Sequence, residues 1–307
     1  MASSSHTLTA LSRYEDPEAG LFEEFPERRL GPGGAFALLA GPLRERRALA
    51  WAMCPSVGPE QGNLRRLEAL VARRLAASGF EVARIRPDVH PLHREISLPT
   101  RLAELEDAAD LLRARGAESV GLVGTLFGGT VAALAAERLR AAALALVEPA
   151  LRGRQYAREL LRREAVAQLM GEEEGEGDGG DGPKRALAAT GRVTIRGLGL
   201  TQEAYDAISA VDLLADVGSF AGRSLLVGVS PSGEPTPGLG KLRDRLDGLG
   251  GDATVVGIAD PLYAPLGEYY YRDAGLLRLD TRLELDGKIA ETVAAWALDH
   301  AAAPAPA

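Results

Sequence analysis

The sequence is short of cysteine, lysine and long apolar runs. Its one cysteine, Cys54, excludes an internal disulfide framework and is typical of a reducing compartment. No run approaches the roughly 20 apolar residues that a helix needs to cross a bilayer. Residues 1–6 also lack a basic segment followed by an apolar one, as a secretory signal would require. We therefore expect a cytoplasmic protein.

Basic residues are also outnumbered by acidic ones. The 307 residues carry 35 Lys and Arg against 43 Asp and Glu, which gives a formal net charge of −8. An acidic surface repels the phosphates of nucleic acids and of anionic membranes, so we expect neither as a partner. Apolar residues at 46% are enough for a sizeable core, in one large domain with an insertion or in two small domains. A homodimer is left open.

Short apolar runs alternate with segments of helical periodicity along most of the chain. This alternation is typical of an α/β protein with a mostly parallel, doubly wound sheet and helices on both faces. Ligands bind such sheets at the carboxyl ends of the strands. The predicted strands lie at 48–53, 80–85, 120–124, 142–147, 224–229 and 253–258, and the last predicted helix at 287–299.

Two regions depart from the alternation. Residues 1–20 are polar, and we expect them to be loosely held. The stretch 171–183 is rich in Glu, Asp and Gly, which predicts a disordered acidic loop. The predicted organisation is a core at 21–149, a helical cap insertion at 150–217 and a second part of the core at 218–300.

The residues around Leu126 carry the pattern of a nucleophile elbow, G-x-S-x-G. A strand run reaches Gly124, and Gly128 opens a helix of small residues. In this motif a serine stands on a sharp turn, and the glycines leave room for the strained backbone. The serine position here holds Leu126, which cannot attack a carbonyl. Thr125 carries a neighbouring hydroxyl, but the turn directs the side chains next to the central residue elsewhere.

Two segments lie on either side of the elbow: Cys54-Pro55 with Glu60-Gln61-Gly62-Asn63-Leu64-Arg65-Arg66, and Glu148-Pro149-Ala150-Leu151-Arg152-Gly153-Arg154-Gln155-Tyr156. They resemble the exosortase-A-associated hydrolases, a group of α/β-hydrolases. Asp260-Pro261-Leu262-Tyr263 lies where that group has a Pro-Phe-Trp turn in place of a catalytic histidine. The resemblance implies an α/β-hydrolase fold with an inserted helical cap.

A looser resemblance is to the bottromycin-type peptide epimerases. Those proteins have the α/β-hydrolase fold, have lost the Ser-His-Asp triad and bind a modified peptide beneath the cap. The likeness rests on the shared fold and the shared absence, and no motif carries it. It is an analogy between folds.

A working triad also needs an acid and a base that follow the nucleophile along the chain. Glu234, after the strand at 224–229, is either that acid or a solvated turn residue. The base should follow the strand at 253–258, yet 259–275 contains no histidine, and His300 comes far too late. We therefore expect no functional triad.

A binding pocket remains as the expected site. We expect its floor at the elbow residues Gly124, Thr125, Leu126, Phe127 and Gly128. The backbone N–H groups of Phe127, Ser56 and Val57 are candidates for an oxyanion hole, because that device needs no side chain. Asp260, Tyr263 and Arg152 are predicted to line the pocket. The arginines that surround Arg152 either bind an anion or form a solvated face.

His90 and His93 lie in the loop that follows the strand at 80–85, close to the expected site. They are candidates for proton transfer, since histidine titrates near neutral pH. The alternatives are ordinary loop histidines and metal ligands, although no nearby cysteine or acidic cluster completes a metal set. We expect neither a metal nor another cofactor.

Three hypotheses of function follow. The first is a non-hydrolytic enzyme that isomerises, epimerises or cyclises an acyl or peptidic natural-product intermediate, a small molecule or peptide. The second is a non-catalytic pseudo-hydrolase that binds such an intermediate or a partner. The third is a weak esterase or acyl hydrolase.

Overall fold

The computed structural model describes residues 13–26, 29–87, 95–171, 182–260 and 277–301. The strands in these ranges are β1 (Arg13–Asp16), β2 (Leu21–Glu24), β3 (Arg29–Leu30), β4 (Ala35–Pro42), β5 (Leu49–Cys54), β6 (Val82–Arg86), β7 (Ser119–Thr125), β8 (Ala143–Val147), β9 (Arg192–Ile195), β10 (Leu198–Thr201), β11 (Arg223–Ser230) and β12 (Asp252–Ala259). The helices are α1 (Gln61–Ala77), α2 (Leu98–Ala114), α3 (Phe127–Ala135), α4 (Gly153–Gly171), α5 (Gly182–Thr190), α6 (Gln202–Ala210), α7 (Leu213–Asp216), α8 (Pro237–Gly248) and α9 (Leu277–Ala301).

Ten strands form one sheet in the order β1-β2-β4-β6-β5-β7-β8-β11-β12, with β3 beside β4. The strands from β6 to β12 in this order run parallel, whereas β4 pairs antiparallel with β6 and with β2. Helices cover both faces, so the central strands are apolar at nearly every position instead of alternating. The predicted mostly parallel, doubly wound sheet is confirmed.

Two apolar clusters hold the helices on the sheet. On one face α1 and α9 pack over the central strands, where the fully buried Trp51 ring lies 6.2 Å from both the Phe80 and the Trp296 rings. On the other face α2, α3 and α8 pack over the same strands. The carboxyl ends of the parallel strands are thereby fixed along one edge of the sheet, where the elbow lies.

Residues 13–16 belong to the sheet, so the expectation of a loosely held segment through residue 20 is wrong for them. β1 pairs antiparallel with β2, and the Arg13 guanidinium carbon lies 4.0 Å from the centroid of the Phe22 ring. A short edge strand whose side chains are mostly exposed has no apolar alternation of its own. Its sequence therefore looks like a loop, because strand preference depends on the neighbouring strand.

Helices α4 to α7 and the hairpin β9–β10 lie between β8 and β11, where the cap insertion was predicted. The two ends of this insertion are joined by hydrogen bonds. The Gly153 N–H donates to the Val211 carbonyl at 2.8 Å, and the Leu213 N–H donates to the Leu151 carbonyl at 3.0 Å. We call these paired residues, 151–153 and 211–213, the stem.

The predicted acidic loop at 171–183 is too long at both ends. Gly171 ends α4, and Gly182 begins α5 with Pro183 in its first turn, where a proline gives up no helical hydrogen bond. Residues 172–181, the rest of that prediction, lie outside the described residues. Of the helices described, none has the length and the apolar character to span a bilayer.

Candidate functional site

The elbow turn is present, and Leu126 stands at its tip. β7 ends at Thr125 and α3 begins at Phe127, so Leu126 alone makes the turn, with φ 48° and ψ −125°. Residues other than glycine rarely adopt this conformation, because it strains the backbone by about 1–3 kcal/mol. The turn is held from both sides: the Leu126 N–H donates to the Val147 carbonyl at 2.9 Å, and its carbonyl accepts the Gly129 N–H at 2.9 Å.

Glycines are required on both sides of the tip. A Cβ on Gly124 would lie 2.4 Å from the Gly128 carbonyl oxygen, and a Cβ on Gly128 would lie 2.4 Å from the Cys54 carbonyl oxygen. Both clashes are with backbone, which cannot rotate away. The first turn of α3 is therefore packed directly against the end of β5 and the loop that follows it.

The Thr125 hydroxyl is committed away from the tip. It is fully buried and donates to the Glu68 carboxylate of α1 at 2.9 Å. Burial raises the pKa of Glu68, and the hydrogen bond from Thr125 partly offsets that increase. Thr125 thus links α1 to the sheet, and its hydroxyl is not free at the tip of the turn.

Leu126 and Phe127 differ in their surroundings. The Leu126 side chain is partly exposed and packs against the apolar cluster of α1 and α9. Phe127 is fully buried, and its ring stacks on Tyr156 of α4, with centroids 4.5 Å apart and planes inclined by 19°. The two apolar residues of the expected pocket floor therefore differ: Leu126 faces partly outward, whereas Phe127 anchors the cap to the core.

Three backbone donors beside the elbow have no protein acceptor among the described residues. They are the N–H groups of Phe127, Ser56 and Val57. The loop after β5 approaches α3 closely, since a Cβ on Gly128 would lie 2.5 Å from the Pro55 carbonyl carbon. Donors of this kind can hold a carbonyl oxygen on which negative charge develops. Their shared use as an oxyanion hole stays a prediction.

A cluster of three polar side chains in the same place was missed by the sequence analysis. The Glu60 Oε1 atom accepts hydrogen bonds from the Ser56 hydroxyl and from the Tyr156 hydroxyl, the latter at 2.5 Å. Ser56 is fully buried, and Glu60 is only 2% exposed. Burial and the neighbouring Glu60 raise the pKa of Tyr156 well above its ordinary value, so its hydroxyl stays protonated and donates.

In the sequence, the motif that contains Glu60 was the feature that could have indicated this cluster. That residue lies in the loop after a parallel strand, which is where such sheets place their sites. Tyr156 belongs to the second segment of that resemblance, but its contact with Glu60 could not be predicted, because it lies 96 residues further along the chain and only the fold of the cap brings the two together.

The remaining predicted residues are dispersed. Glu234 is exposed in a turn, where its carbonyl accepts the Ser230 hydroxyl at 2.9 Å, as expected for a solvated turn residue. Asp260 is 5% exposed and follows β12, with its N–H donating to the Ser230 carbonyl at 2.9 Å. Arg152 pairs with Asp212 in the stem. His90, His93 and Tyr263 lie outside the described residues.

Two depressions in the described surface lie apart from the elbow. A cavity of about 530 Å³ lies at the opposite edge of the sheet, among the amino ends of β5, β7, β8 and β11. A groove of about 750 Å³ lies between α4 and the end of α6, and Arg152 lines it. The contacts of Arg152 are therefore within the cap. Among the described side chains, no group of three His, Cys, Asp or Glu is arranged to hold a metal ion.

A second carboxylate, that of Glu148, stands at the carboxyl end of β8. Glu148 has φ 49°, and its Oε1 atom accepts the Val229 N–H of β11 at 2.8 Å. Burial raises the pKa of Glu148 above its ordinary value of 4.5, and the hydrogen bond from Val229 opposes that increase. This carboxyl group bridges two neighbouring strands at the edge that carries the elbow.

Stability should depend on pH through Glu148. Because its pKa is higher in the folded chain than in the unfolded chain, the folded state holds the proton more tightly, and the free energy of unfolding falls as pH rises from about 4.5 through the folded pKa. Glu148→Gln removes this contribution. Urea unfolding of both proteins between about pH 4 and pH 8 should show the variant gaining on the wild type as pH rises. A difference that is constant with pH would contradict the assignment.

No family model matches the chain, and no curated protein matches it. Solved structures do match. Est1E from Butyrivibrio proteoclasticus is 16% identical with a TM-score of 0.57, over 92% of this chain and 99% of that one. An esterase from Pyrobaculum calidifontis is 19% identical with a TM-score of 0.53, over 91% and 86%. The esterase domain of a Rhodothermus marinus protein is 15% identical with a TM-score of 0.53, over 92% and 99%. This chain has the α/β-hydrolase fold.

The position of Leu126 can be compared with the same position in other proteins of the α/β-hydrolase fold. In this fold the residue at the tip of the elbow is the nucleophile, and the backbone N–H of the next residue is one of the oxyanion donors. Those positions are Leu126 and Phe127 here. The comparisons establish the architecture, while the esterase activity in their names belongs to those proteins.

Proposed function

We propose that this protein is a non-hydrolytic enzyme of the isomerase or epimerase type that acts on an acyl or peptidic natural-product intermediate. The observation that carries the proposal is the strained turn at Leu126, which persists although its side chain is not a nucleophile. Strain of this kind is expected to last where the geometry it maintains serves a site. The analogy with triad-less peptide epimerases favours the same function.

Without a nucleophile, the turn still supplies hydrogen-bond donors. The Phe127 N–H has no protein acceptor among the described residues and stands beside the loop of Ser56 and Val57. A substrate carbonyl bound there would be polarised, and its neighbouring C–H would become more acidic. Removal and return of that proton changes configuration or connectivity without a change in mass. His90 and His93 remain the proton carriers suggested by the sequence.

Binding without catalysis is the second candidate function. It is favoured by the close packing of the cap at the elbow, where the buried Phe127 ring stacks on Tyr156. A pseudo-hydrolase of this kind would hold an intermediate and release it unaltered. The two functions are separated by the chemical state in which a bound compound is recovered.

Ester hydrolysis should be absent. We expect no turnover of p-nitrophenyl acetate above the buffer rate and no labelling by a fluorophosphonate, because Leu126 occupies the nucleophile position and the Thr125 hydroxyl is bonded to Glu68. Thr125→Ala should leave both results unchanged. Turnover that disappears in Thr125→Ala would instead establish the weak esterase.

Proton exchange tests the proposed enzyme directly. Suitable probes are N-acetyl-L-alanine, N-acetyl-L-phenylalanine and N-acetyl-L-aspartate as N-acetylcysteamine thioesters, whose α C–H bonds are already activated. In D₂O the protein should introduce deuterium at the α carbon of at least one probe, measured by mass spectrometry, with no free thiol released. Probes recovered without deuterium would contradict the enzyme and favour the binding protein.

A further inference from the structure

We propose that Glu60 is the base of this site, and that Ser56 and Tyr156 are positioning residues that hold its carboxylate. The inference rests on the proposed function, since it assigns the group that removes the α proton. It departs from the sequence analysis, which considered only His90 and His93 for that role.

The first observation is the unequal use of the two carboxylate oxygens of Glu60. Oε1 accepts both the Ser56 and the Tyr156 hydroxyl groups, whereas Oε2 is buried and has no hydrogen-bond partner among the described residues. A buried acceptor left without a donor costs about 1–3 kcal/mol, so such an atom requires an explanation. One explanation is that Oε2 receives a proton from the substrate.

The second observation is that Glu60 is not used to cap its helix. It occupies the N-cap position of α1, yet its side chain accepts no hydrogen bond from the first turn. A carboxylate that served only the helix would turn toward those N–H groups. The Glu60 side chain turns instead toward Ser56 and the cap.

The third observation is the proximity of this carboxylate to the elbow. Tyr156 bonds Glu60 through its hydroxyl and stacks on Phe127 through its ring, at 4.5 Å between centroids. Ser56, the other donor to Glu60, is one of the predicted oxyanion residues. The carboxylate and the unpaired Phe127 N–H therefore share the same two neighbouring segments, the loop after β5 and the first turn of α4.

The cap covers this carboxylate. A Cβ on Gly58 would lie 2.4 Å from Glu60 Oε2 and 2.9 Å from Leu160 Cδ2 of α4, so Oε2 is enclosed between the loop and the cap helix. Tyr156 and Leu126 are both partly exposed at this place. A substrate consequently reaches Oε2 when α4 moves outward from the loop.

The chemical step is a proton transfer. The α C–H bond of the substrate breaks, its proton bonds to Glu60 Oε2, and the electron pair moves onto the carbonyl to form an enolate. The Phe127 N–H donates to the enolate oxygen. Collapse of the enolate returns the electron pair to carbon, which takes back a proton, and Glu60 regains its charge. In D₂O the carboxyl group exchanges with solvent, so the returned atom is deuterium.

Glu60→Gln tests the assignment in the thioester exchange experiment. The amide keeps the shape and can still accept both hydroxyl groups, but it cannot take a proton, so we expect deuterium incorporation to fall by about 100-fold or more. Glu203→Gln, an exposed first-turn residue of α6, is the matched control and should exchange at the wild-type rate. Thermal unfolding of both variants checks that the fold is retained.

Tyr156→Phe separates positioning from structure. It keeps the ring that stacks on Phe127 and removes one donor to Glu60. The Glu60 carboxylate is then held by Ser56 alone, so the maximal exchange rate should fall while the probe concentration that gives half of that rate stays at the wild-type value. A change in the half-maximal concentration with an unaltered maximal rate, or a loss that follows a loss of folded protein in thermal unfolding, would mean that Tyr156 has a structural role only.

The possible failures are distinguishable. If the wild type exchanges none of the probes, the proposed enzymatic function is wrong, and so is the assignment of Glu60 as its base. If the wild type exchanges and Glu60→Gln does so equally fast, only the inference is overturned. A loss of exchange in His90→Gln or His93→Gln together with an unaffected Glu60→Gln would assign the base to a histidine.

Discussion

Gly128→Ala is expected to destabilise the fold by at least about 3 kcal/mol, the upper end of the cost of overpacking. The added Cβ would lie 2.4 Å from the Cys54 carbonyl oxygen and 2.5 Å from that of Pro55. Neither atom belongs to a side chain that can change its rotamer. The loop after β5 and the first turn of α3 must therefore separate, and the midpoint of urea unfolding should fall accordingly.

The matched control for this variant is Gly240→Ala. Gly240 is also a helical glycine, in α8, and a Cβ there would meet no atom within 4 Å. Alanine favours a helix over glycine by about 1 kcal/mol, so this variant should be slightly more stable than the wild type. Equal effects at Gly128 and Gly240 would show that the elbow is looser than described.

Gly58→Ala should reduce proton exchange about as strongly as Glu60→Gln, without touching the carboxylate chemically. Its Cβ would lie 2.4 Å from Glu60 Oε2 and 2.6 Å from the Tyr156 hydroxyl oxygen. Both side chains must shift, which takes the Glu60 carboxylate and the Tyr156 hydroxyl out of the positions described. We expect a loss of deuterium incorporation of about 100-fold or more. The loss of stability should be small, about 1 kcal/mol, because only the ends of side chains have to move.

Gly62→Ala is the control on the same segment. Gly62 lies in the first turn of α1, four residues beyond Gly58, and a Cβ there would have no neighbour within 4 Å. Exchange by this variant should match the wild type. If Gly58→Ala also exchanges at the wild-type rate, the Glu60 carboxylate does not need the position described for it.

The fold was predictable because each of its signals is local. The spacing of Gly124 and Gly128 around an apolar run identified the elbow, and the alternation of strands and helices identified the parallel sheet. The ends of individual helices were harder to predict from the sequence. α9 begins ten residues before the predicted start at Gly287, because a glycine that meets no neighbour is tolerated inside a helix.

The candidate site was predictable only in part. Leu126 could be placed at the tip because a short motif specifies it, and the conformation at φ 48° agrees with that placement. The contact of Glu60 with Tyr156 depends on how α4 crosses the loop after β5. No periodicity or spacing encodes that crossing, so the sequence offered the histidines instead.

The stem has an evolutionary consequence. Because residues 151–153 and 211–213 are hydrogen-bonded to each other, the chain leaves the sheet and returns to it at almost the same point. The entropy of closing a loop grows only with the logarithm of its length, by about 0.6 kcal/mol for each doubling. Insertions and deletions beyond the stem therefore add little loop-closure cost to the fold, provided that the part of α4 that packs on Phe127 is kept.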